Sequence, residues 1–152
     1  MKKILPILLV LVMLCSTAFA AGFEVPAEGY DGSEVTISFY TQQGTALQEV
    51  TSAYIAEFNK LYPNIHVEHT TLGDYDGVRD QIIADISVGG QPNVAYCYPD
   101  HVALYNLAKA VATLDDLIDS QATVTRADGT TEILGLTDEQ KADFIEGYYD
   151  EG

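Results

Sequence analysis

Tryptophan is absent, cysteine occurs only twice, and basic residues are scarce: 7 Lys+Arg stand against 23 Asp+Glu in 152 residues, a formal net charge of −16. The balance grows more negative if a leader carrying Lys2 and Lys3 is removed. Such a field repels phosphate backbones and anionic lipid, which excludes nucleic acid and a basic membrane-binding patch as partners. Of the cysteines, Cys15 lies in the leading segment, leaving Cys97 alone in the remainder. One cysteine cannot close an internal disulfide, so the chain is no disulfide-stapled mini-protein. No second long apolar run follows the first 20 residues, and a soluble mature chain is expected. Hydrophobic residues make up 47% and include ten Tyr and five Phe, too many for disorder and enough for one domain with a buried core.

The first 20 residues read as a secretory signal peptide. Lys2 and Lys3 supply the positive start, residues 4–14 are nearly all aliphatic apart from Pro6, and Ala18-Phe19-Ala20 gives a small–x–small cleavage pattern. An uncleaved anchor is disfavoured, because Pro6 and Ser16-Thr17 leave the apolar run short of the ~20 residues a span needs. Leu14 before Cys15 argues against lipidation. The expected location is periplasmic or extracellular.

Residues 21–33, rich in Gly, Pro and acidic side chains, are expected to form a flexible mature N-terminus. Residues 35–40 alternate apolar and polar with β-branched and aromatic side chains, which predicts a strand. Leu47, Val50, Tyr54, Phe58 and Leu61 recur at intervals of three, four, four and three, the apolar stripe of a helix closed by Pro63-Asn64. A strand over 65–69 and a turn over 73–77 follow. Val78, Ile82 and Ile86 mark a second helix ended by Gly89-Gly90, then come a strand over 93–98 and a third helix marked by Leu104, Leu107 and Val111. Strands alternating with helices over short links predict an α/β fold with a parallel βαβαβ core and helices on its faces. Beyond it, Thr113 with Asp116 and Thr137 with Gln140 have capping-box spacing. Residues 123–126 and 130–133 suggest a hairpin, and Phe144, Ile145 and Tyr148 a last helix.

In an open parallel sheet, ligands sit outside the carboxyl ends of the strands. Three segments should meet there: residues 41–44, 71–76 and 98–101. They carry Gln42, Gln43, Asp74, Tyr75, Tyr98, Asp100 and His101. Amides and carboxylates hydrogen-bond hydroxyls, and a tyrosine face covers the C–H side of a sugar, so a neutral polyhydroxylated ligand suits this set better than a phosphate. Structural readings stand beside these. Gln42 and Gln43 can serve as turn residues, Asp74 and Asp76 can make Asx turns, and Asp100 can cap the following helix. Tyr96 and Tyr98 share a strand face and can be core, while Cys97 points the other way as a small buried hydrophobe.

Chemical signatures are missing. His66 and His69 point to opposite faces of a strand and make a poor metal pair. No Gly-x-Ser-x-Gly elbow occurs, and Cys97 has no basic neighbour in sequence. Asp74-Tyr75-Asp76-Gly77 starts like a calcium loop, but Ile83 stands where the closing glutamate belongs. Asp115-Asp116 and Asp138-Glu139 look like solvated helix starts. No cofactor, metal or catalytic constellation is expected.

The strand at 35–40, Phe58-Asn59-Lys60-Leu61-Tyr62-Pro63-Asn64-Ile65, the turn from Gly73 and Gly89-Gly90-Gln91-Pro92-Asn93-Val94-Ala95 together resemble family 1 extracellular solute-binding proteins. These are the sugar-type binding components of ABC importers, maltose-binding protein among them. The likeness covers residues 34–120, with Leu114-Asp115-Asp116-Leu117 in agreement. It implies a non-enzymatic, monomeric protein that captures a carbohydrate and hands it to a permease, with two lobes closing on the ligand. It places polar contacts at Gln42, Gln43 and Asp100. Cys97 and His101 depart from the family's aromatic and arginine, and Tyr98 offers a replacement platform. The family's greater length leads us to expect that residues 34–152 are part of an N-terminal lobe with the second lobe missing, and hence weak affinity. The alternative is a fragment of a secreted α/β hydrolase whose catalytic residues are expected in a missing C-terminal part.

Overall fold

A computed structural model describes residues 30–149. The expected signal peptide at 1–20, and residues 21–29 of the expected flexible N-terminus, lie outside the described residues. Three parallel strands form the central sheet in the order β2-β1-β3: β1 is Val35–Thr41, β2 Ile65–Thr71 and β3 Val94–Ala95. Helix α1 (Thr45–Leu61) connects β1 to β2, and α2 (Tyr75–Ile86) connects β2 to β3. The expected parallel α/β core is what the chain forms. The first crossover steps to one side of β1 and the second returns past it. Right-handed connections therefore put α1 and α2 on opposite faces of the sheet.

The α2 face is the better packed. Val78, Ile82 and Tyr105 form its buried centre, with Tyr40, Leu72, Ile86, Ala95, Cys97 and Val111 packed against them. The α1 face is thinner. Leu47 is 57% exposed and Tyr54 72%, and no residue of α1 is fully buried. The expected stripe is thus covered only towards its end, at Phe58 and Leu61, because the sheet meets α1 chiefly along β2 and β3 is two residues long.

Five local expectations are corrected. The Gly73–Gly77 segment is not a free turn: Asp74 caps α2 by accepting from the Gly77 amide at 2.8 Å, so the helix opens at Tyr75. Helix α3 runs Pro99–Leu107 and buries His101 and Tyr105, while Leu104 and Leu107 face outward. Pro99 takes the first helical position, where its missing N–H costs nothing, and Asp100 sits in the first turn rather than at the cap. Thr113 does not cap α4 (Asp115–Ile118), which starts after Leu114 without a side-chain cap. The last expected helix breaks at Phe144, whose extended backbone (ψ 140°) separates α5 (Asp138–Asp143) from α6 (Glu146–Tyr149). The Thr137–Gln140 capping box forms with both bonds. The hairpin forms as well, from β4 (Thr123–Thr125) and β5 (Thr131–Ile133).

That hairpin is fastened to the end of α1. The Ala127 amide donates to Leu61 O at 2.9 Å, and Glu132 accepts from the Tyr62 hydroxyl and from Arg126 Nη2. The Tyr62 hydrogen bond, then Arg126, hold the Glu132 carboxyl below its ordinary value. A lowered folded-state value means that this contribution is complete above the ordinary glutamate range and disappears as acid protonates the group. On acidification, hairpin amides should therefore gain hydrogen exchange before those of β1 and β2. Glu132→Gln should remove that pH dependence, as read by exchange at the Ala127 amide.

Candidate functional site

Register decides where the loops go. β1 pairs with β2 through Thr41↔Thr71 and with β3 through Tyr40↔Ala95, so all three strands stop at one level. The Leu72 amide donates to Thr41 O at 2.8 Å and the Tyr96 amide to Tyr40 O at 2.9 Å, tying the second and third loops to the end of the first strand. Each loop turns directly into a helix. The N-termini of α1, α2 and α3 therefore open onto a common rim, with Asp74, Asp76 and Asp100 offsetting the positive ends of α2 and α3.

Aromatic rings run inward from that rim. Tyr75, at the start of α2, stacks on Tyr98 with centroids 4.2 Å apart and planes tilted 35°. Tyr98 meets the His101 ring edge-on at 5.6 Å, and His101 meets Tyr105 at 6.5 Å. Tyr98 is 51% exposed while His101 is only 5% exposed. Three buried polar atoms in this region have no protein partner: Gln42 Oε1, His101 Nδ1 and the Tyr105 hydroxyl. Buried polar atoms are rarely left so.

The expected residues divide into groups. Tyr75, Tyr98 and His101 form a continuous line of ring contacts. Gln42 lies on the adjoining loop, half-buried with its Oε1 unpaired. Asp74 is engaged as the cap of α2, and Asp100 is exposed in the first turn of α3. Gln43 turns inward: its Oε1 accepts from the Thr51 hydroxyl at 2.6 Å, and its carbonyl from Gln48 Nε2 at 2.8 Å. Its side-chain oxygen is thus engaged in holding the first turns of α1.

Two contributors carry little signal in the sequence. Tyr105 closes the aromatic line, and the spacing of three and four that links Tyr98, His101 and Tyr105 along one helix face is the pattern that could have found it. Thr41, fully buried, shares a 2.8 Å hydrogen bond with His69 Nε2 and fixes the end of β1 to β2. Tyr96 is exposed and meets Phe39 edge-on at 5.5 Å, so it belongs to the opposite sheet face and not to the core.

Burial pushes the Cys97 thiol above its ordinary value, which keeps it protonated and poorly nucleophilic. Burial raises the Tyr105 hydroxyl above its ordinary value, the Asp80 and Asp100 carboxylates add to the rise, and Arg79 offsets part of it. Among the described residues no group of three or more His, Cys, Asp or Glu side chains is placed to hold a metal ion, and no helix is long and apolar enough to cross a membrane.

A family profile described as bacterial extracellular solute-binding protein matches residues 25–134, more than half of the chain. Among solved structures the chain is similar to an extracellular solute-binding protein family 1 from Alicyclobacillus acidocaldarius subsp. acidocaldarius DSM 446, with a TM-score of 0.46 and 20% identity. The match covers 59% of this chain and 24% of that one, so the chain spans about a quarter of that protein's length. No curated protein matches it.

Proposed function

The chain belongs to the bacterial extracellular solute-binding protein family, and from that premise we propose that it captures a neutral carbohydrate outside the cytoplasm for delivery to an ABC importer permease. Members of this family bind solutes and are generally not enzymes. The observation that supports a carbohydrate is the pairing of two kinds of surface at one rim. The stacked Tyr75 and Tyr98 rings offer an apolar face; His101, whose Nδ1 is buried without a partner, touches Tyr98, and Gln42 Oε1 is unpartnered on the adjoining loop. A pyranose presents the same combination, with C–H groups on its faces and hydroxyls, each donor and acceptor, around its edge.

We assign Tyr75 and Tyr98 as the stacking platform, and Gln42 and His101 as hydrogen-bonding groups. Asp100 supplies an exposed carboxylate for an outer hydroxyl, whereas Asp74 and Gln43 act through the loops they brace. The three-stranded unit is consistent with part of one solute-binding lobe, with 1–20 as an export signal. One wall covers only part of a sugar, so the expected dissociation constant is about 1 mM, ~4 kcal/mol. Nothing in the geometry of the rim favours the hydrolase alternative.

Titration followed by NMR tests the assignment, using D-glucose, maltose, D-xylose and L-arabinose, then glutamate and spermidine. At least one neutral sugar should shift the Tyr75 and Tyr98 ring protons saturably. Binding of only glutamate or spermidine, or of none of the six, would overturn the carbohydrate assignment.

A further inference from the structure

The aromatic platform hangs from a strand that is barely a strand. β3 pairs with β1 only through Phe39↔Val94 and Tyr40↔Ala95. A two-residue parallel ladder specifies register weakly, yet a slip of one residue would exchange the faces of every side chain after it. Tyr96 would lose Phe39, Cys97 would leave the α2 face, and Tyr98 would no longer arrive beside Tyr75.

Just before β3, Asn93 supplies what the ladder lacks. Its Oδ1 accepts from the Ser38 amide at 2.9 Å and from the Ser38 hydroxyl at 3.0 Å, and its own amide donates to that hydroxyl at 3.1 Å. These contacts imitate a backbone rung with side-chain atoms and extend the pairing of β3 by one position. Asn or Asp carries an acceptor at this reach, and the short Ser38 hydroxyl both donates and accepts across it. Pro92 precedes Asn93, and its fixed φ limits the approach of the chain to the clasp.

We propose that Asn93 is the positioning residue of the solute site: by clasping Ser38 it sets the register of β3 and thereby seats Tyr98 against Tyr75. The proposal rests on the reading of this rim as the solute site, but its test does not require a sugar. In the full chain, nuclear Overhauser contacts between the Tyr75 and Tyr98 rings report the seating directly. Asn93→Ala should lose most of that contact while retaining the far-UV spectrum of the fold. Asn93→Asp, which keeps the acceptor, should preserve it. Val124→Ala, a destabilising change in the remote hairpin, should leave it intact, which separates seating from general loosening. If Asn93→Ala does not fold, Ser38→Ala serves instead: it removes the hydroxyl, leaves the Ser38 amide bond, and should weaken the ring contact in part.

Titration with whichever of the four sugars binds the wild-type chain adds the functional reading, with affinity about tenfold lower in Asn93→Ala, the equivalent of one or two lost hydrogen bonds. Ring contacts at full strength in both Asn93→Ala and Ser38→Ala would overturn the proposal, as would their equal loss in Val124→Ala. Failure of the wild-type chain to bind any sugar would instead count against the carbohydrate assignment, and the ring contacts would still decide the role of Asn93.

Discussion

Tyr98→Ala should abolish detectable sugar binding while leaving the fold in place. A sugar face resting on the ring removes about 50 Å² of apolar surface from water, worth about 1.3 kcal/mol at ~25 cal/mol per Å². The ring also holds Tyr75 in its stacked orientation, and an aromatic pair adds about 0.5–1.5 kcal/mol beyond area. Together these come to about 2 kcal/mol, or ~30-fold in affinity, which carries a millimolar site beyond the range of titration. Stability suffers less because Tyr98 is half-exposed and the truncation chiefly removes its stack with Tyr75. A fall in melting temperature of about 4 °C, from ~1 kcal/mol, is expected. Tyr98→Phe should bind nearly as the parent, since the platform needs the ring and not the hydroxyl. Calorimetric melting and the sugar titration, run on both variants, check the two halves of the argument. Unchanged affinity in Tyr98→Ala would remove the platform from the site.

The rim is legible in the sequence because topology alone creates it. Alternation in β1 and β2 and short βα links force strand ends and helix starts to one side, whatever the detailed contacts. What escapes is decided by contacts between segments distant in sequence. Hydropathy points to Leu104 and Leu107 as the stripe of α3, but the helix turns His101 and Tyr105 inward because Tyr98 and the α2 face await them. Hydropathy ranks leucine above histidine, and packing against aromatic edges reverses that order. Residues 93–98 look like one strand, yet Asn93 makes its rung with a side chain and Tyr98 already leads into α3, so two residues remain in the ladder. Gln43 pairs naturally with Gln42 as a ligand residue when only the loop is considered. The first turns of α1 bring Thr51 within reach of its amide, a contact no local pattern announces. Capping chemistry divides the same way. Thr137 and Gln140 need only each other and their spacing suffices, whereas Gly73 and Gly77 look like turn residues although Gly77 lies inside a helix.

Gly77 and Gly135 lead to the last prediction, because a methyl group at either one meets backbone, yet in different parts of the molecule. At Gly135 a Cβ would press on three carbonyl oxygens around the end of α4: Ser120 O, Ile118 O at 2.6 Å and Leu117 O at 2.9 Å. None of these is the yielding tip of a side chain, so α4 and the hairpin must separate. Gly135→Ala should cost about 3 kcal/mol, the upper end of overpacking penalties. At Gly77 a Cβ would stand 2.7 Å from Leu72 O, in the loop that delivers Asp74 and Tyr75 to the rim. Gly77→Ala should cost about 2 kcal/mol by pushing that loop outward and straining the Asp74 cap. The consequences for binding should then diverge. The hairpin is tied to the end of α1, where the chain has run 17 residues, ~25 Å, from the rim. At a temperature where both variants are folded, Gly135→Ala should therefore keep the Tyr75–Tyr98 contact and the sugar affinity. Gly77→Ala should lose both, although it is the less destabilised of the two. Chemical denaturation gives the stabilities, and titration with whichever of the four sugars binds gives the affinities. The two orders should be opposite, because the hairpin and the rim lie at opposite ends of α1.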